Sequence, residues 1–231
     1  MSQTRDIVVI GASGHAKVII DIIEREGAYR IAGLIDSYKE LHTQVMGYEI
    51  LGREDSLPAL VTEGRILGGI VAIGHNWMRS QMVQRIRELA PGFVFVNAIH
   101  PSAQIARDVE LGCGVAIMAG VSVNPGCRIG DFCFLNTNAS VDHDNVLEEF
   151  SCLQPNAATG GNVRVGAFTA VSMGATVIHG VTIGPHTVIG AGATVLRDVP
   201  GLVVAYGTPC AVIRGRQPAD GYRGAARTRG Q

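Results

Sequence analysis

The chain has 231 residues, a formal net charge of −1 and 47% hydrophobic residues, with aromatics at only 5%. A near-neutral balance with no basic stripe excludes a bulk polyanion as partner, so no nucleic acid is expected. No apolar run approaches the ~20 residues needed to cross a bilayer. The start, Met1 to Asp6, also lacks the apolar core of a signal peptide, so no membrane is expected and the compartment expected is the cytoplasm.

In chain order, residues 7–10 read as a short buried strand, Gly11-Ala12-Ser13-Gly14 as a tight turn, and His15 to Arg25 as a helix with one apolar side. A helix start of this kind presents free N–H groups and the positive end of the helix dipole to a phosphate. The G-x-G-x-x-G fingerprint is incomplete, because its second glycine falls on Ser13. The turn therefore reads either as a phosphate cradle or as a plain corner. A second strand over Arg30 to Ile35 ends in Asp36-Ser37, at the strand edge where open α/β sheets bind ligands. A short strand at Tyr48 to Leu51, a helix over Arg53 to Glu63, a buried strand over Gly69 to Gly74, a helix from His75-Asn76 to Leu89 and a last strand at Phe93 to Asn97 complete an α/β unit. Three parts are expected: a Rossmann-like domain over 1–97, a second domain over 98–216, and a flexible Gly/Arg-rich tail over 217–231.

From Ile99 to Val195 an aliphatic residue returns at every sixth position, with Thr159 the single exception. Four residues after most of these stands a small or β-branched side chain, such as Ala103, Val121, Cys127, Cys133, Ala157 or Ala193. A period of six fits neither helix nor simple strand and points to a stacked repeat. Three hexads would close a triangular coil of about 18 residues, with the aliphatic series on the axis and coils stacked about 4.8 Å apart. Glycines directly after the inward residue (Gly112, Gly130, Gly166, Gly184, Gly190) suit corners where a side chain would crowd the next coil.

Polar residues stand out against such a prism. Of the seven histidines, His42 and His186 read as solvated surface groups. His143 differs because it lies between Asp142 and Asp144 in a polar run from Asn136 to Asn145, where a carboxylate can fix its tautomer and raise its basicity. One coil on from His143 stands Gly161, whose bare backbone can approach a thioester and offer an N–H to an oxyanion. It can also simply turn a corner. The five cysteines show no C-x-x-C pairing and read as packing groups.

The hexads resemble those of left-handed β-helix acyltransferases. Gly11 to Ala16, Ile73-Gly74-His75-Asn76 with Arg79, Asp142-His143-Asp144, and Gly207-Thr208-Pro209-Cys210-Ala211 together resemble the NeuD/PglD-like sugar acetyltransferases, over almost the whole chain up to Arg216. The resemblance implies a Rossmann-like domain followed by a left-handed parallel β-helix, with acetyl-CoA as co-substrate, a nucleotide-linked amino sugar of the UDP- or GDP-4-amino-deoxy type as acceptor, no metal, and a homotrimer with active sites between subunits. It implies His143 as general base and Asp144 as the group that raises its basicity. Cys152, Gly161, Met173 and Ala191 match positions along the acetyl-CoA path, and Ser13, Gly14, His15, Asp36, Ser37 and Gly74 match positions around the nucleotide sugar. Two departures stand out: relatives often carry histidine where Cys152 stands, and Asp144 is one methylene shorter than the glutamate of some.

Competing functions remain at this stage. They are O-acetylation of sialic acid or another sugar, covalent catalysis through Cys152, a zinc-type carbonic anhydrase needing three converging histidines, and a non-catalytic nucleotide-binding scaffold. His179 lies two coils from His143, too far to share one ion within a subunit.

Overall fold

The computed structural model describes residues 5–220, so residues 221–231 of the expected tail lie outside the described residues. The first part is an open sheet of order β3-β4-β2-β1-β5-β6, made of β1 (Arg5–Ile10), β2 (Tyr29–Ile35), β3 (Gln44–Val45), β4 (Tyr48–Gly52), β5 (Gly68–Val71) and β6 (Val94–Phe95). All pairings are parallel except the β3–β4 hairpin. Helices α1 (Gly14–Glu26), α2 (Leu57–Thr62) and α3 (Asn76–Leu89) accompany it. Both faces of β1 are covered, and accordingly Ile7 to Ile10 form an unbroken buried apolar run. α1 ends at Gly27, which takes the left-handed conformation and returns its N–H to Ile23.

Three expected elements differ, one of them the strand expected over Phe93 to Asn97, which is only β6 (Val94–Phe95). The helix expected over Arg53 to Glu63 divides into a 3₁₀ turn (Glu54–Ser56) and α2, because Pro58 belongs in a first helical turn and cannot stand in a helix interior. The strand expected over Gly69 to Gly74 starts at Gly68 and stops at Val71, leaving Ala72 to Gly74 as a loop into α3.

The second part is a parallel β-helix of seventeen two-residue strands, from β7 (Ala98–Ile99) to β23 (Thr194–Val195), each ending on a member of the six-residue series. Strands pair at a constant offset of one coil, as in Ala116 with Phe134, Ser122 with Ser140 and Arg128 with Val146. A Cβ at Gly130 or Gly166 would lie within 3 Å of the next coil's backbone, at Glu149 N and Pro185 N, so these corners require glycine. The hairpin of β24 (Val203–Tyr206) and β25 (Ala211–Gly215) extends the first of the three faces.

The core holds more polar groups than the six-residue pattern suggests. Thr159 keeps its inward place and is buried. At the position four after the inward residue, several side chains donate to a corner carbonyl of the next coil: Cys127 to Asp142 (2.9 Å), Cys133 to Glu148 (3.0 Å), Asn145 to Gly160 (2.8 Å) and Thr169 to Gly184 (2.7 Å). They satisfy corner oxygens that the strand ladder leaves over.

The three faces differ in chemistry. Outward residues of the first face, among them Ala98, Ala116, Phe134, Cys152 and Ala170, are buried against the apolar side of α1. Those of the second are uncharged and, apart from Gln104 at its first strand, small: Ser122, Ser140, Ala158, Thr176 and Thr194. Those of the third include Glu110, Arg128 and Arg164, held in ion pairs.

The two parts are locked by the start of α3. Arg79 is fully buried, yet it donates to the carbonyls of Phe132 (3.0 Å), Phe150 (3.2 Å), Ile73 (3.0 Å) and Gly74 (3.2 Å) and lies 3.9 Å over the Phe134 ring. Asn76 accepts from Arg79 and donates to Phe168 O. Along the edge between the third and first faces, Phe132, Phe150, Phe168 and His186 stack at 5.0, 5.0 and 4.6 Å. His186 is therefore not the solvated group expected from its sequence setting. It ends an aromatic column and faces Trp77 of α3. His42 is exposed, as expected.

No helix among the described residues is long and apolar enough to cross a membrane.

Candidate active site

His143 stands on the edge between the second and third faces, just after strand β14 (Ser140–Val141). Its Nδ1 lies 2.7 Å from Asp144 Oδ2, an arrangement in which Nδ1–H donates and the Nε2 lone pair is directed away from the carboxylate. That hydrogen bond, with the nearby charges of Asp142 and Asp144, raises the His143 pKa above its ordinary value. Asp142 accepts from Asn124 Nδ2 and from the His143 N–H, both at 2.8 Å, and these bonds, the first above all, hold its own pKa below the usual carboxylate range.

Two glycines make room for this pair. A Cβ on Gly161 would lie 2.5 Å from the imidazole Nε2, and one on Gly126 would strike Asp144 Oδ1. Beneath the edge, the fully buried Asn145 donates to the carbonyls of Asp142 (2.7 Å), His143 (3.1 Å) and Gly160 (2.8 Å). It ties the His143 corner to the Gly160-Gly161 corner of the next coil.

A second region lies where the α/β domain meets the prism. At the carboxyl ends of β1, β2 and β5, a cavity of about 620 Å³ is lined by Gly11 to Ser13, Asp36, Ser37, Gly74 and residues of α3. Asp36 is already engaged: Oδ2 accepts from Ala12 N (2.8 Å), and Oδ1 accepts from Tyr38 N and Lys39 N (2.9 Å each). Its carboxylate shapes the glycine turn. An adjoining cavity of about 870 Å³ shares Ser13, Gly74 and His75 and runs to Gln154, Met173, Ala191, Tyr206 and Arg214. His15 lines it, stacked 4.8 Å from Phe134. Burial, and secondarily the charge of Arg79, drive the His15 pKa down to about 4, so this imidazole is neutral near pH 7. Its Nε2 is buried without a hydrogen-bond partner among the described residues.

The sequence-predicted residues thus fall into two groups. Ser13, His15, Gly74, Met173 and Ala191 share one cavity, Asp36 and Ser37 border its neighbour, and Gly14 opens α1 beside them. Cys152 is buried beneath the cavity wall, 1% exposed, and accepts from Gln154 Nε2 at 3.3 Å. His143, Asp144 and Gly161 form the second group. One face of the prism separates them from Met173 and Ala191, a span of six extended residues or roughly 20 Å.

Sequence reasoning missed Asn145, Tyr206 and Arg214. Asn145 occupies a repeat position that usually holds a small apolar residue. The return of the β24–β25 hairpin to the groove is a tertiary event with no local signature. Among the described residues, no group of three or more His, Cys, Asp or Glu side chains could hold a metal ion.

An α/β unit with a glycine turn, clamped to a parallel β-helix that carries a carboxylate-paired histidine on one edge, defines a two-domain class of β-helix proteins. Residues 6–86 match the PglD N-terminal domain. Perosamine N-acetyltransferase from Caulobacter crescentus, solved as a single-histidine variant with CoA and GDP-perosamine, is 41% identical; the match covers 90% of this chain and 97% of that one, with a TM-score of 0.85. The acetyltransferase domain of PglB from Neisseria gonorrhoeae, solved with acetyl coenzyme A, is 30% identical over 91% of this chain and 100% of that one, with a TM-score of 0.83. UDP-N-acetylbacillosamine N-acetyltransferase from Bacillus subtilis is 32% identical over 120 residues, which span 50% of this chain and 52% of that relative. The chain belongs to the NeuD/PglD-like family of sugar acetyltransferases, and its prism is the left-handed β-helix of that family.

Proposed function

We propose that the protein is an acetyl-CoA-dependent N-acetyltransferase acting on the amino group of a nucleotide-linked amino sugar, as a cytoplasmic homotrimer serving glycan or polysaccharide biosynthesis. The observation that carries this reading is the His143–Asp144 pair, whose Nε2 side is open above Gly161. The relatives solved with CoA and a GDP-sugar, or with acetyl coenzyme A, support the choice of substrates.

In this mechanism the acceptor binds as a free amine, because an ammonium has no lone pair to attack with. Its nitrogen attacks the thioester carbonyl, a C–N bond forms, and the carbonyl electron pair moves to oxygen, where the Gly161 N–H stabilises it. His143 Nε2 takes the proton from the nitrogen. Collapse breaks the C–S bond, and the proton passes to the departing coenzyme A thiolate. Ser13, Gly14, His15, Asp36, Ser37 and Gly74 position the nucleotide sugar, with Asp36 acting through the glycine turn. Met173 and Ala191 border the acetyl-CoA path, and Cys152 supports it from beneath through Gln154.

The trimer follows from the separation of the two groups. A neighbour's His143 edge laid along the small, uncharged second face would meet the groove, and a cyclic arrangement closes this contact three times. Light scattering that finds a stable monomer at working concentration would remove the trimer. The function is tested by following thiol release from acetyl-CoA with UDP-, GDP- and dTDP-4-amino sugars and with sialic acid. Release with an amino sugar is expected. Release with sialic acid alone would make the protein an O-acetyltransferase, and no release with any acceptor would return it to a binding role.

A further inference from the structure

The far end of the nucleotide cavity carries the chemistry to choose a base. α3 directs Met78, Gln81, Met82 and Arg85 to that cavity, the spacing that shares one helix face. The two thioethers offer a polarizable apolar wall to a flat ring, and Met78 is 51% exposed there. The 3₁₀ turn after β4 brings in Glu54, whose Oε2 accepts the Ser37 hydroxyl at 2.9 Å, so the carboxylate is held at the cavity wall. Asp36, the other carboxylate lining the cavity, has both oxygens engaged by backbone N–H groups.

We propose that this cavity selects a guanine nucleotide, with Glu54 reading the base's N1–H and N2 amino group and Arg85 its O6 and N7 edge. Guanine sets two neighbouring donors on one edge and two acceptors on the next. A carboxylate accepts from the first, and an arginine fork donates to the second. Uracil sets its single N–H between two carbonyl oxygens, which a carboxylate repels. Adenine places an acceptor nitrogen beside its amino group, so it pairs only half of the Glu54 edge.

The proposal rests on the nucleotide-sugar reading, and its test separates the two. Binding of GDP, IDP, ADP and UDP to the full chain is measured by calorimetry, with CoA as control. GDP is expected to bind tightest. IDP, which lacks the N2 amino group, is expected to bind about 10- to 100-fold more weakly, the worth of one hydrogen bond to a charged group. Glu54→Gln should narrow the GDP-to-IDP gap to about threefold or less and leave CoA binding intact, and Arg85→Ala should weaken GDP more than UDP. UDP binding as tightly as GDP, or Glu54→Gln weakening all four diphosphates equally, would overturn the base assignment while the nucleotide-sugar reading stands. Failure of every diphosphate to bind would overturn both.

Discussion

Two edges of one prism each carry a histidine, and the two have opposite characters. His143 is exposed beside Asp144 and Asp142, and its pKa is raised. His186 is stacked on Phe168 beneath Trp77, where burial and then the charge of Arg216 lower its pKa. The backbone treats the two corners much alike, with Asp144 and His186 both in the left-handed conformation. The difference lies in a one-residue shift, since His143 precedes the left-handed residue of its corner and His186 is that residue, and in the side chains that the 18-residue offset and the docked α/β domain bring alongside. A repeat fold supplies equivalent corners, and the place a histidine takes on its corner, with the neighbours from other coils, decides which is reactive and which is mortar.

The strongest break of this comparison is His143→Ala. Loss of a general base typically costs 10²- to 10⁴-fold in kcat. A side chain on an open edge contributes little packing, so the melting temperature should hold. Near-full kcat at pH 7 in a folded variant would remove His143 from the mechanism.

Next comes Gly161→Ala. The added Cβ occupies the space of the imidazole, and a displacement of the base by about 1 Å costs on the order of 10²-fold. The effect should fall on kcat with circular dichroism unchanged; a KM effect alone would mean that Gly161 serves binding only.

Asp144→Asn should cost less, because an amide can still orient the ring. A base works in its neutral form, so activity is lost as pH falls through the raised His143 pKa. Removing the carboxylate lowers that pKa, and the acid limb of kcat/KM should move to lower pH. A limb that stays in place would assign it to another group.

The smallest expected effect is that of His186→Phe, on stability and not on rate. A histidine whose folded pKa is depressed leaves the unfolded chain binding more protons, so stability declines as pH falls below about 6.5 toward the depressed value. His15 and His75, also depressed, act in the same direction. Replacing His186 should therefore lessen, without abolishing, the fall in melting temperature between pH 7 and pH 5. An unchanged slope would show that the column does not hold the imidazole neutral.

The prism was legible because each hexad repeats one inward aliphatic residue, and all seventeen strands end on that series. The nearness of His143 and Gly161 was legible for the same reason, being one coil apart. The aromatic column was equally spaced, yet a single sequence does not say that another domain covers its edge. The engagement of Asp36 by the backbone of residues 12, 38 and 39 depends on how a turn and a loop meet, and residue types do not reveal that. Asn145 was overlooked because a buried amide at a small-residue position makes sense only once the three carbonyls around it are known.

The clamp at the start of α3 makes the molecule a gauge of length. Arg79 and Asn76 hold carbonyls of Phe132, Phe150 and Phe168, one from each of three successive coils, so the α/β domain can neither slide along the prism nor tilt away from it. The cavity at the carboxyl ends of β1, β2 and β5 and the adjoining groove along the prism are thereby held at a constant spacing. In the proposed assembly, an acceptor seated by its base in that cavity would reach the groove at a fixed length of diphosphate and sugar, whereas a sugar 1-phosphate, with nothing to seat there, would arrive unmeasured.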